Sequence, residues 1–174
     1  MLLMIKSARE MDIPQLLAIY RESSLENCQG MYPEEPTMEA ALARYESEFG
    51  AWMGGGFFEE EPGRYWMVES ADGVWVSTLR LFPMKEPRTW LVDGLETHPD
   101  HRKQGHASRL LTETIRALEE EHGDIVLFAG VGKRNIASLQ THLRSGFVRE
   151  KETWTEDGEA TDRQCTMAYR SARR

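Results

Sequence analysis

Between Leu91 and Leu118 an apolar strand, a short basic loop and an amphipathic helix follow one another without a linker. The strand segment ends Leu95-Glu96-Thr97, and the loop runs His98-Pro99-Asp100-His101-Arg102-Lys103-Gln104-Gly105. The helix then carries Leu110, Leu111, Ile115 and Leu118 on one face and stops at Gly123. Asp124 to Ala129 is a nearly continuous apolar run, as a strand covered on both faces requires. Strand, crossover helix and strand in that order imply local parallel pairing. The same order aims successive backbone N–H groups and a helix N-terminus at one point. Such a point binds phosphate, because orphan amides and the positive end of the helix dipole both face the anion. A diphosphate-bearing ligand is the class it predicts.

The rest of the chain frames this unit. Leu2 to Ser7 reads as a short strand, and Asp12-Ile13-Pro14 opens a helix with Asp12 as its cap. Ile13, Leu16, Leu17 and Tyr20 form the buried stripe of that helix. Ser23 to Pro36, with Gly30, Pro33 and Pro36, reads as loop, and Thr37 to about Trp52 as a second helix capped by Thr37. Gly54-Gly55-Gly56 has so high a backbone entropy cost that it predicts a mobile connector, a candidate flap. From Arg64 the period drops to two: Tyr65–Glu69, Val74–Phe82 and Trp90–Thr97 read as an antiparallel meander with an Asp72-Gly73 turn. Asn135 caps a helix from Ile136 to Ser145 that Gly146 ends. Phe147–Trp154 and Gln164–Tyr169 then close the chain as a hairpin.

A length of 174 residues suits one domain, residues 1–174. The net charge of -8 lacks the basic face that nucleic acid requires, so no nucleic-acid partner is expected. The acidic balance suits a cationic substrate, or serves solubility alone. Cys28 and Cys165 stand in no metal or redox spacing and predict free thiols in a reducing compartment. The start Met1-Leu2-Leu3-Met4-Ile5-Lys6 lacks signal-peptide character, and no run approaches ~18 apolar residues. A cytoplasmic protein with no membrane partner is the expectation.

Two separated motifs carry a resemblance. Arg102-Lys103-Gln104-Gly105-His106-Ala107 fits the pattern Arg or Gln, two residues, Gly, one residue, Gly or Ala. Asn135-Ile136-Ala137-Ser138 through Ser145-Gly146-Phe147 follows after the next strand. In these features the chain resembles the GCN5-related N-acetyltransferase (GNAT) superfamily. The resemblance implies an α/β (α+β) fold with a mixed, mostly antiparallel central sheet of about six to seven strands flanked by about four helices. It implies acetyl-CoA or another acyl-CoA as co-substrate, no metal, and an acceptor amine on a small molecule, peptide or protein. A homodimer is left open. By the same resemblance Arg102, Lys103, Gln104, Gly105, His106, Ala107 and Ser108 would hold the pyrophosphate, chiefly through backbone amides. Leu95, Glu96 and Thr97 would lie beside the pantetheine arm, with a backbone N–H there stabilising the oxyanion. Asn135 and Ser138 match positions that contact the pantetheine or cap the helix.

Acyl transfer to an amine needs a base, oxyanion donors and a route for the leaving thiolate. Glu96 is the first candidate base, with Asp93 and His98 behind it. Alternation sets Asp93 and Glu96 on opposite faces unless a bulge intervenes. His142 stands where many family members carry a tyrosine, which makes it a candidate general acid; its place beside Ile136, Leu139 and Leu143 equally suits packing. That departure motivates a second reading, a non-catalytic acyl-CoA-binding or regulatory module. A phosphotransferase is disfavoured because Gly-x-x-x-x-Gly-Lys-Ser/Thr is absent. His98, His101 and His106 lack a partner to complete a metal site. Acceptor choice is expected from Asn27 to Glu61, whose aromatics suit core or lid.

Overall fold

A computed structural model describes residues 1–172. β2 (Tyr65–Ala71) and β3 (Val74–Pro83) form a hairpin whose turn residues Asp72 and Gly73 take φ of 52° and 82°. Positive φ at both central positions gives the turn whose twist matches its strands. β1 (Leu2–Ile5) pairs antiparallel with β2, and β4 (Thr89–Thr97) antiparallel with β3. β5 (Val126–Gly132) lies parallel to β4, as the intervening helix requires. β6 (Val148–Lys151) and β9 (Gln164–Arg170) complete a seven-stranded, mostly antiparallel sheet in the order β1-β2-β3-β4-β5-β9-β6.

Two helical layers cover the sheet. On one face α5 (His106–His122) buries Leu110, Leu111, Ile115 and Leu118 against Leu79, Leu81, Val92 and Leu127. Each such side chain contributes roughly 1.5–3 kcal/mol when fully buried. α6 (Ile136–Arg144) joins this layer through Leu139. On the other face α1 (Ile13–Ile19) and α4 (Phe57–Glu60) set Leu16, Ile19 and Phe57 against Ile5, Trp66, Val68 and Trp75. Among the described residues no helix is long and apolar enough to cross a membrane.

Three local expectations are corrected. Arg21–Met31 is a helix, α2, not loop; it packs Cys28 against Ala41 and Leu42 of α3 (Met38–Ala51), and only Pro33 and Pro36 lie beyond its end. Gly54 to Gly56 is no flap: Trp52–Gly56 forms a π-turn that continues into α4. Met53 and Phe57 in that segment are fully buried, so tertiary packing outweighs the glycines' entropy cost. Phe147–Trp154 is not one strand. β6 stops at Lys151, and β7 (Trp154–Glu156) pairs with β8 (Glu159–Thr161) as a separate ribbon. Cys28 and Cys165 are both free and buried.

β4 and β5 pair only from Thr89 to Leu91 against Val126 to Phe128. Beyond Leu91, β4 has no β5 partner, and its edge is open toward the start of α5.

Candidate active site

Gly105 begins the site. It sits at the N-cap of α5 with φ 79° and ψ 9°, a left-handed conformation that favours glycine, and no side chain caps the helix. The first amides of α5, from His106, Ala107 and Ser108, are therefore left for an external anion. They open on a cleft of about 710 Å³, within the range of roughly 300–1,000 Å³ usual for small-molecule sites. Leu95, Glu96 and Thr97 of β4 form one wall; Arg102, Lys103 and Gly105 form the loop edge; Asn135 and Ser138 of α6 stand opposite. The unit anticipated around the glycine loop is thus brought together in space.

Individual residues depart from their expected parts. The Arg102 guanidinium is engaged by Glu22 of α2 at 2.5 Å, although it still lines the cleft. Lys103 lines it too, but Gln104 is exposed and is not part of the wall. His106 lines the cleft, but its ring is engaged elsewhere: it is 7% exposed and its Nδ1 lies 3.1 Å from Glu69 of β2. Arg109 donates to the same carboxylate oxygen at 2.7 Å, so the first turn of α5 is tied to the sheet. Asn135 accepts from the Ser138 N–H at 3.0 Å, which confirms its capping role beside its place in the wall. Ala137, Gln140, Thr141 and Arg144 also line the cleft and were missed. Their spacing of three, four and seven along α6 was the available signal.

The two carboxylates of β4 lie on one face. Thr78 pairs with Glu96, and Arg80 with Asp93, so Gly94 and Leu95 together oppose Leu79. This bulge, with Gly94 at φ 60°, shifts the alternation by one residue. Asp93 is neutralised by Arg80 at 2.5 Å, whose guanidinium rests between Trp52 and Trp66. Among the described residues Glu96 has no such ion pair, and burial pushes its carboxyl above the usual range, offset in part by Ser23 and Arg102. His98 accepts from the Asp100 N–H and shapes the loop. Glu96 is therefore the half-buried carboxylate best suited to accept a proton within the cleft.

The general-acid expectation for His142 is corrected. The ring is 3% exposed, packs edge-on to Phe147 and is not part of the cleft wall. Its Nδ1 lies 2.8 Å from the Ser138 carbonyl oxygen, which only accepts, so the proton resides on Nδ1. Burial lowers its pKa and keeps the ring neutral, leaving Nε2 without a proton to give.

A second concavity of about 220 Å³ lies on the sheet face away from α5. Phe82, Leu91, Asp93, Gly130, Trp154 and Glu156 line it. It reaches the same strand just before the bulge. The segment from Asn27 to Glu61 lines neither concavity.

A family model described as "Acetyltransferase (GNAT) family" matches residues 17–147. No curated protein matches the chain. Among solved structures, the PaiA N-acetyltransferase of Thermoplasma acidophilum in complex with coenzyme A superposes with TM-score 0.62 at 13% identity, covering 98% of this chain and 99% of that one. The ribosomal-protein-alanine N-acetyltransferase of Brucella melitensis gives 0.58 at 21% identity, covering 97% and 99%. An IAA acetyltransferase of Bacillus cereus gives 0.58 at 12%, covering 98% and 100%. At these identities the structural likeness establishes the fold.

Proposed function

The chain belongs to the acetyltransferase (GNAT) family, and on that premise we propose that it transfers an acetyl group from acetyl-CoA to an amine by direct attack. One observation carries the reading: an uncapped, glycine-led helix N-terminus opens on a cleft walled by the unpaired edge of β4. The amides of His106, Ala107 and Ser108 would hold the diphosphate, with Lys103 adding charge. Pantetheine would run along Leu95, Glu96 and Thr97, and Asn135 and Ser138 would border it.

Glu96, directly or through a water, takes a proton from the acceptor ammonium. The free amine attacks the thioester carbon, and bulge amides of β4 stabilise the oxyanion. Collapse expels the coenzyme thiolate, and the proton lost by the attacking nitrogen balances the charge. A thiol with a pKa near ~8.5 is an adequate leaving group without a dedicated acid. The acceptor enters from the smaller concavity, whose apolar walls and Glu156 carboxylate suit a compact cationic amine.

The test is calorimetry with CoA, followed by thiol release from acetyl-CoA over an amine panel. Absence of heat from a folded sample refutes the reading. Tight binding without turnover of any amine favours a non-catalytic acyl-CoA-binding module; the raised pKa of Glu96 supports turnover instead.

A further inference from the structure

We infer that Tyr20, at the end of α1, is a positioning residue for acyl transfer: its phenol holds the Gly94–Leu95 peptide so that the Leu95 N–H faces the donor's acyl carbonyl. This rests on the acyl-transfer reading above. The Tyr20 hydroxyl donates to the Gly94 carbonyl oxygen.

The direction of each peptide in the bulge follows from its ladder. His98 donates to Val76 and Met84 donates to Thr89 at the two ends of the β3–β4 pair. Alternation between these ends makes Thr78–Glu96 and Arg80–Asp93 hydrogen-bonded pairs. The Asp93 carbonyl and the Glu96 N–H therefore face β3. A trans peptide is planar with its N–H and C=O opposed, so the Gly94 N–H and the Leu95 carbonyl face the open gap toward β5. The peptide between Gly94 and Leu95 is the extra one. Its carbonyl points to Tyr20, in the layer of α1, Phe49 and Trp66. Its N–H accordingly points the other way, toward the α5 layer, where Leu95 lines the cleft.

Such a peptide needs a lock. Gly94 has φ 60°, and a glycine turns its peptide plane at little cost. A β-carbon there would be strained at that φ and would lie 2.7 Å from the Arg80 guanidinium, displacing it, so stiffening the bulge with a bulkier residue is costly. The phenol does it instead. It is 5% exposed, and burial pushes its pKa far above the ordinary tyrosine value, so it stays a donor at every working pH. Its proton is committed to Gly94, which removes Tyr20 as a proton source for the thiolate.

The experiment is infrared difference spectroscopy on bound acetyl-CoA isotopically labelled at the thioester carbonyl, with calorimetry for affinity. In wild type the carbonyl stretch falls below that of free acetyl-CoA. In Tyr20→Phe, which keeps the ring packing, most of that lowering disappears while affinity stays within about threefold. With any amine the wild type acetylates, kcat falls ~10- to 100-fold and KM for acetyl-CoA holds. 4-Aminophenylalanine at position 20, which restores a donor, recovers both signals. A Tyr20→Phe protein with the wild-type frequency and kcat overturns the inference. So does a wild-type complex whose carbonyl absorbs at the free frequency, a result that needs no folded variant. Both outcomes leave the acyl-transfer reading intact. Failure of wild type to bind CoA or acetyl-CoA removes that reading and this inference together.

Discussion

Gly105→Ala tests whether the turn before α5 holds the coenzyme diphosphate. A β-carbon at Gly105 would meet no atom within 4 Å, so the substitution adds torsional strain and no steric clash within the protein. At φ 79° that strain is about 1–2 kcal/mol for an L residue. Two limits bracket the response. If the turn holds its shape, the unfolding free energy of the free protein drops by about 1–2 kcal/mol. If the turn relaxes to negative φ, stability recovers, but the amides of His106, Ala107 and Ser108 lose their common aim. The strain then returns on binding, and CoA affinity weakens about 5- to 30-fold. The two legs share one thermodynamic cycle, so stability loss and affinity loss together amount to at least about 1–2 kcal/mol. Urea unfolding without ligand and calorimetry with CoA, on the same preparation, measure both. Neither changing would refute the amide cradle, since the bound state would then not require this backbone conformation.

Glu96→Gln is expected to lower kcat by about 100-fold and to abolish the acidic limb of the pH–rate profile, which lies above the ordinary carboxylate range. Because burial raises this pKa in the folded state, native stability declines as pH rises from the unfolded value through the folded one. Urea melts of Glu96→Gln should lack that decline and show a more stable protein at neutral pH. His142→Gln should leave kcat near wild type, in a steady-state thiol-release assay. The His142 pKa is depressed in the fold, so its contribution is present above the ordinary histidine value and lost as pH falls; thermal melts of the variant should lose that acid sensitivity. Gly130→Ala would set a β-carbon 2.6 Å from the Trp154 indole. It should cost about 1–3 kcal/mol in chemical denaturation and raise KM for the acceptor without altering CoA affinity.

The unit from β4 through α5 was legible because its signals are local: an apolar run, a glycine where φ is positive, and a leucine face at helical spacing. α2 was not, because Ser23, Ser24, Glu26 and Asn27 show no apolar stripe, and its buried contacts reach Ala41 and Leu42 on another helix. The glycine run misled for a related reason. Its helical state is set by Met53 and Phe57 entering the core, a tertiary gain that local propensity does not record. His142 matched a position in a motif, yet a motif position does not say which way a ring turns.

The site itself depends on a single inserted residue that alternation along β4 conceals. The bulge at Gly94 and Leu95 puts Asp93 and Glu96 on one face, where Arg80 neutralises one and burial keeps the other basic. It also turns one peptide out of the ladder just past Leu91, where pairing with β5 ends. Base, oxyanion donor and open edge therefore share one cause. A one-residue deletion that restored regular pairing at this point would leave Glu96 two residues from Asp93 and still on its face, but would remove the extra peptide that turns the Leu95 amide toward the cleft. Such a protein should keep its β-sheet circular dichroism and its CoA binding while losing turnover, because the diphosphate turn at Gly105 lies outside the deleted register.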